Sequence, residues 1–241
     1  MGDLIIGAAS GYNWDQLKYW VNSIEKTGFG GTVALIATDI DKATIDKLTS
    51  KGVTVNTFGI KQDDGSFKAP ANNAPHVERF FYLWQYLNAT QGKFDRVITT
   101  DTRDVIFQTN PIYALDNLMR YHDLIASSEG LRYENEPWGN SNLFQSFGPY
   151  FHNRLKSNFI YNVGVVAGTA RAVEGLLSMI FHLSLNRPIP IVDQAVYNFL
   201  LHQIPFYDQT LFATNEDTWA VQLGTSVEAV KAGAGDIGMK C

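Results

Sequence analysis

Three short strand-like runs, the first two almost continuously apolar, separated by two stretches of helical periodicity, open the chain, and no other feature restricts its fold as much. The runs are Leu4-Ile5-Ile6-Gly7-Ala8-Ala9, Thr32-Val33-Ala34-Leu35-Ile36-Ala37 and Val53-Thr54-Val55-Asn56-Thr57-Phe58. A strand that is apolar at successive positions must be covered on both faces, as in a parallel sheet lying between layers of helices. Between the first two runs, Leu17, Trp20, Val21 and Ile24 recur at helical spacing, and Gly28 to Gly31 end that helix. Asp39 to Ser50 fits a second helix, punctuated by Gly52. Strand, helix, strand, helix, strand predicts βαβ units and an α/β fold with a mostly parallel central sheet and flanking helices.

The pattern continues less regularly. Lys61 to Pro75, with Asp63-Asp64-Gly65, predicts a surface loop. Val77, Phe80, Phe81, Trp84 and Leu87 share one face of an amphipathic helix, and Phe94 to Thr100 is a strand that runs into Asp101-Thr102-Arg103-Asp104. Val105-Ile106-Phe107 is apolar again before Asn110-Pro111 turns the chain. Ser127 to Ser157, rich in Asn, Gly, Ser, Tyr and Trp, has little periodicity and is expected to be a mobile or ligand-facing region. Phe159 to Val166 predicts a strand interrupted at Asn162 and Gly164. Thr169 is placed to cap a helix carrying Val173, Leu176, Leu177 and Ile180, and Asp193 opens another carrying Val196, Phe199 and Leu200. The tail after Gly224 is weakly patterned. With no repeat and no linker, residues 1–241 are expected to form one domain.

Composition excludes several classes. A hydrophobic fraction of 45% with 18% charged residues belongs to a globular chain, so disorder is not expected. The net charge of −5, with no cluster of Lys and Arg, disfavours a nucleic-acid groove. An anionic ligand must therefore be held locally, by backbone amides, a metal ion or single arginines. The one cysteine, Cys241, forms no intramolecular disulfide, and no Cys/His spacing suits zinc; a reducing compartment is expected. No apolar run approaches the roughly 18 residues of a membrane span. The start lacks the pattern of a secretory signal, and Ile6 stands where a myristoylation motif needs Ser or Thr. The expectation is a cytoplasmic protein, or a soluble catalytic fragment of a larger one.

The acidic turn is the most informative chemical feature. Asp101 and Asp104 lie at the mouth of a buried strand, where two carboxylates are costly to desolvate together unless a cation sits between them. A hard divalent ion that also holds a diphosphate is one solution; a solvated turn with an Arg103–Asp salt bridge is the other. Open α/β sheets bind ligands beyond the carboxyl ends of their strands, which is where this turn falls. A dinucleotide-binding dehydrogenase is disfavoured, because Gly7-Ala8-Ala9-Ser10-Gly11-Tyr12-Asn13 contains no G-x-G-x-x-G fingerprint.

Three pieces in order resemble glycosyltransferases of the GT-A fold, whose sheet is Rossmann-like: the strand ending at Asp101-Thr102-Arg103-Asp104, the Asn-x-Gly strand Tyr161-Asn162-Val163-Gly164, and the pair Asp193-Gln194 at a helix start. The resemblance implies a nucleotide-binding half over about residues 1–110, an acceptor and sugar half over about residues 111–241, and roles for single residues. Ala8, Ala9 and Ser10 would face the base and ribose, and Arg79 would reach the nucleotide or steady the acidic turn. Asp101 would contact ribose or metal, and Asp104 would ligate the metal, Mn²⁺ or Mg²⁺. Asn162 and Gly164 would line the sugar pocket, and Asp193 and Gln194 would bind sugar hydroxyls. Asp193 or Glu129 would serve as the base of an inverting mechanism, although the Asn-x-Gly and Asp-Gln pieces look more like the retaining branch. The plainer readings are a solvated helix flank for Arg79, a strand bulge for Asn162 and Gly164, an N-cap for Asp193 and a loop carboxylate for Glu129.

The chain departs from the family pattern at two places. Arg103 stands where a plain Asp-x-Asp has its second acid, so either Asp104 takes over or Arg103 itself offsets diphosphate charge. Where relatives supply a late His ligand, this chain has Gln222, and none of its five histidines is near. The implied partners are a nucleotide-sugar donor, UDP-linked by preference, and a carbohydrate or other hydroxyl acceptor. The alternatives are a silent sugar-binding or scaffold domain of the same fold and a sugar nucleotidyltransferase. The second is disfavoured because the loop after the first strand has no Lys or Arg to clamp a triphosphate.

Overall fold

A computed structural model describes residues 2–69, 74–217 and 219–223. Strands β1 (Gly2–Ser10), β2 (Thr32–Thr38) and β3 (Thr54–Thr57) alternate with helices α1 (Trp14–Lys26) and α2 (Lys42–Ser50), in the order the sequence predicts. The expected loop after β3 instead contains a two-stranded hairpin, β4 (Ile60–Lys61) and β5 (Phe67–Lys68); its residues 70–73 lie outside the described residues. Then come α3 (Pro75–Ala89), β6 (Phe94–Thr100), α4 (Ile112–Leu118), β7 (Leu124–Arg132), a 3-10 turn (Tyr133–Asn135) and α5 (Pro137–Leu155). The described chain closes with β8 (Phe159–Thr169), α6 (Ala170–Ser184), α7 (Asp193–Leu201), α8 (Phe206–Gln209), β9 (Thr210–Ala213) and a second 3-10 turn (Asn215–Asp217).

Seven strands form one sheet in the order β3-β2-β1-β6-β8-β7-β9. All neighbours are parallel except at β8, which runs antiparallel to both β6 and β7. The result is a Rossmann-like, mostly parallel α/β sheet flanked by helices. Because β8 is reversed, its first residues lie beside the carboxyl end of β6. That places Gly164 next to Asp101, whose N–H donates to the Gly164 carbonyl at 2.7 Å.

Side-chain alternation divides the core between the two faces of the sheet. Leu4, Ile6 and Val97 face α3, α6 and α7, whereas Ile5, Leu35 and Ile98 face α1, α2 and α4. The α3 face buries Val77, Phe80, Leu83 and Leu87. Each such side chain stabilises the fold by roughly 1.5–3 kcal/mol. Phe81 and Trp84, expected on that stripe, are half-buried and meet Phe181 and His182 of α6 edge-on or tilted.

The stretch from Ser127 to Ser157 is ordered into the end of β7, a 3-10 turn and α5, correcting the expectation of an unpatterned region. Its helical signal is weak for physical reasons. Two of the buried positions of α5 are Gly139 and Ser146, which carry no apolar pattern, and the helix breaks at Gly148 (φ 72°, ψ 178°) before Pro149. The break resets the phase that periodicity would detect. Val105 to Phe107 is irregular rather than a strand, with Val105 and Phe107 packed on the core and Ile106 exposed. Neither α4 nor β9 has a counterpart in the sequence reading. Gly224 and Cys241 lie outside the described residues.

Candidate functional site

The carboxyl ends of β2, β1 and β6 and the start of β8 open onto one cleft of about 950 Å³. Ala8, Ala9 and Ser10 at the end of β1 line it, together with Arg79, the whole Asp101–Asp104 turn, Asn162, Gly164, Asp193 and Gln194. All the residues expected to bind nucleotide, sugar or metal therefore share one cavity. Gln222 is not among its lining residues.

Close packing fixes the acidic turn. Gly7 leaves room for Thr102: a Cβ at position 7 would stand 2.2 Å from Thr102 Cγ2 and 3.1 Å from the Thr100 carbonyl oxygen. The buried Trp20 indole N–H donates to Thr100 Oγ1 at 2.8 Å, which pins α1 to the end of β6. Thr102 Oγ1 donates to the Ala8 carbonyl at 3.3 Å, tying the turn to β1. Gly164 has the same relation to Asp101 that Gly7 has to Thr102. A Cβ there would lie 2.6 Å from Asp101 Oδ2 and 2.7 Å from Asn162 Oδ1.

Arg79 joins the pieces. From α3 it donates through Nη1 to Asp101 and through Nη2 to Asp193 Oδ2, the latter at 2.8 Å. Burial alone would lower the guanidinium's pKa, but the charges of Asp101 and Asp193 outweigh it and raise the value above that of a free arginine. The acidic turn is thus paired with Arg79 rather than with Arg103, and Arg79 is no solvated helix flank. Asp193 is not an N-cap, since Val192 occupies that position and no side chain caps the helix. Arg103 is exposed to the cleft. Asp104 is exposed as well, yet the crowding around it and the neighbouring Asp101 charge push its carboxyl up.

A second network lies behind the first. Asn162 Oδ1 accepts from the Gly164 N–H at 2.6 Å, and its Nδ2 donates to Glu129 Oε1 at 2.9 Å. Gln194 hydrogen-bonds to the same carboxylate. Glu129 is a strand residue of β7, only 6% exposed, and burial raises its pKa while the two amides pull it back. It does not line the cleft. That corrects both expectations for Glu129, as a loop carboxylate and as a polar contact in the cleft; it is a positioning residue for two amides that do line it. The bulge reading of Asn162 and Gly164 holds in part: β8 is unbroken, but its register with β7 slips between Ala126↔Val166 and Ser127↔Asn162.

Sequence reasoning missed Asn198, buried on α7. Its Oδ1 accepts from the Tyr161 N–H and its Nδ2 donates to the Tyr161 carbonyl, both at 2.8 Å. The side chain clasps the site strand to the site helix. A polar residue on the apolar face of a helix was the only available signal. Thr38, Tyr12 and Tyr82, at the β1–β2 end of the cleft, and Trp138 of α5 were also missed as lining residues. Thr38 was reachable by applying the strand-end rule to β2 as well as to β6.

Five carboxylates (Asp15, Glu78, Asp101, Asp104, Asp193) and two arginines (Arg79, Arg103) line the cleft. A doubly charged diphosphate would therefore meet an acidic cavity, and a divalent cation beside Asp101 and Asp104 would fit that donor set. Among the described residues no group of three His, Cys, Asp or Glu side chains converges as a ready metal site. The remaining ligands would have to come from the diphosphate and water. No protein-family model matches the chain, and no curated protein matches it.

Proposed function

We propose that this chain is a glycosyltransferase of the GT-A type, transferring a sugar from a nucleotide-diphosphate donor, UDP-linked by preference, to a hydroxyl acceptor. One observation carries the reading. The acidic turn, the Asn162–Gly164 strand and the Asp193–Gln194 helix start, far apart in sequence, meet in a single cleft, with Arg79 bridging two of them. The strand order supports a division of that cleft. Ala8 to Ser10 and Thr38 take the base and ribose, Asp101 to Asp104 take the diphosphate, and Asn162, Gly164, Asp193 and Gln194 take the sugar.

Transfer forms a bond from the acceptor oxygen to the anomeric carbon as the bond from that carbon to the diphosphate oxygen breaks. Mn²⁺ or Mg²⁺, held by Asp101 and Asp104, would offset the charge gathering on the departing diphosphate. Arg103 is placed to share that task. Asp193 is engaged by Arg79 and Glu129 stands behind two amides, so neither is well disposed to act as base. That favours the retaining course, in which the acceptor proton leaves on the diphosphate. The pocket contributes by holding the acceptor hydroxyl beside the departing diphosphate oxygen, on the same face of the sugar.

Calorimetric titration of UDP, GDP and their hexose conjugates, with and without manganese, tests the reading on wild type and Asp104→Ala. Metal-enhanced binding of one nucleotide, lost in Asp104→Ala, is expected. Binding that ignores the metal would transfer the charge-offsetting role to Arg103. Binding without turnover across a panel of hydroxyl acceptors would leave a sugar-binding domain. No binding of any nucleotide would overturn the proposal.

A further inference from the structure

The cleft crosses the strand ends in the order β2, β1, β6, β8, and it does not stop at the sugar-binding groups. Trp138 of α5 and Ile191, just ahead of α7, line it as well. These are large apolar side chains left 52% and 39% exposed, inside a concave site rather than on a convex surface. Their backbone settings are fixed. The Glu136 carboxylate caps α5, accepting from the N–H groups of Trp138 (3.1 Å) and Gly139, and Pro137 pre-sets the first turn. Gly139 is required for that cap, since a Cβ there would stand 2.7 Å from Glu136 Oε2 and 3.3 Å from the Tyr133 ring. Asn142 Nδ2 donates to the Ile191 carbonyl at 3.4 Å, tying the two apolar residues' elements together.

We propose that Trp138 and Ile191 form the platform of the acceptor subsite, and that the acceptor is a carbohydrate whose ring lies flat on the Trp138 indole. This rests on the glycosyltransferase reading and deepens it. An aliphatic or peptide acceptor would be served by an apolar trough. Here a half-exposed indole and one aliphatic side chain share the cleft with hydrogen-bonding groups, Gln194 and Asn162 among them. That pairing suits a pyranose, which has one C–H face and a polar edge. The position also suits an acceptor rather than a donor: α5 follows β7, which lies on one side of β8 in the sheet, whereas β6 with Asp101 after it, β1 and β2 lie on the other. A ring on Trp138 therefore brings its hydroxyl to the sugar end of the cleft, away from the end that takes the base and ribose. In this reading Trp138 decides which acceptor is used and leaves donor affinity alone.

The test is a titration of wild type, Trp138→Ala and Trp138→Tyr with a panel of free mono- and disaccharides, read by intrinsic tryptophan fluorescence and by calorimetry. The same samples are titrated with UDP and GDP. The expected result is saturable binding of at least one carbohydrate to wild type, weakened at least about tenfold in Trp138→Ala and largely restored in Trp138→Tyr. Nucleotide affinity should be equal in all three proteins. Equal carbohydrate binding by wild type and Trp138→Ala overturns the proposal. So does loss of nucleotide or nucleotide-sugar affinity in Trp138→Ala, which would make Trp138 part of the donor site. Nucleotide binding with no carbohydrate binding to wild type overturns it too. Carbohydrate binding that depends on Trp138 without any nucleotide binding would sink the glycosyltransferase reading while the platform stands. If neither class of ligand binds, both are wrong.

Discussion

Arg79 on α3 and Asp193 at the start of α7, 114 positions apart in sequence, form a 2.8 Å ion pair in which Asp193 is almost wholly buried. An ion pair so placed does more to fix geometry than to add net stability, because desolvation consumes much of its Coulombic gain. Removing one partner is a different matter. Arg79→Met should cost about 3–5 kcal/mol in urea unfolding at pH 7, since it leaves the Asp193 charge buried without its partner. The double variant Arg79→Met/Asp193→Asn should recover much of that loss. If the two substitutions instead add, the pair is not the source of the cost.

Gly164→Ala tests the close approach of β8 to the acidic turn. The new methyl would meet Asp101 Oδ2 and Asn162 Oδ1, and hydrogen bonds hold both side chains in place. Overpacking of this kind costs about 1–3 kcal/mol. The displaced groups are site residues, so nucleotide affinity should fall along with stability. Calorimetry and thermal unfolding on one preparation check this. A stable variant with wild-type nucleotide affinity would show that the contact yields freely.

Asn198 makes a complementary prediction on the other side of β8. Asn198→Leu would keep the volume and remove the clasp, leaving the Tyr161 N–H and C=O without their present partner in a buried place. An orphaned buried polar group costs about 1–3 kcal/mol, so a loss in the upper part of that range is expected. Asn198→Asp keeps the acceptor for Tyr161 N–H but sets a carboxylate against the Tyr161 carbonyl, and it should be no better tolerated. Amide hydrogen exchange at Tyr161 is the direct measurement: protection there should fall in both variants.

How much of this the sequence made legible follows from what each element is made of. β1 and β2 are apolar runs with both faces covered, so composition alone marks them. α6 was readable down to its Thr169 cap, which accepts from the Ala172 N–H. α5 was not, because Gly139, Ser146 and the Gly148–Pro149 break hide its periodicity. In the site, the acidic turn could be picked out by its place after a strand, and Asn162, Gly164, Asp193 and Gln194 by resemblance. What sequence could not give is pairing across distance. That Arg79 reaches Asp193 as well as the acidic turn that the resemblance offers it, and that Glu129 turns away from the cleft toward two amides, are facts of tertiary packing. No spacing encodes them.

Glu129 supplies the pH prediction. Burial raises its carboxyl above the ordinary value of 4.5, so the native state holds this proton more tightly than the unfolded chain. As pH rises through 4.5 the unfolded chain releases its proton first. Stability therefore falls with rising pH until the native value is passed, by at most about 1.4 kcal/mol per pH unit. The contribution is full below 4.5 and lost above the native value. Glu129→Gln removes this term, and its carbonyl oxygen remains as an acceptor for the Asn162 amide. The stability of Glu129→Gln relative to wild type should thus improve as urea unfolding is repeated at rising pH from 4.5, and level off once the native value is passed. A difference that does not vary with pH would mean that the Glu129 carboxylate is as well solvated by Asn162 and Gln194 as it would be by water.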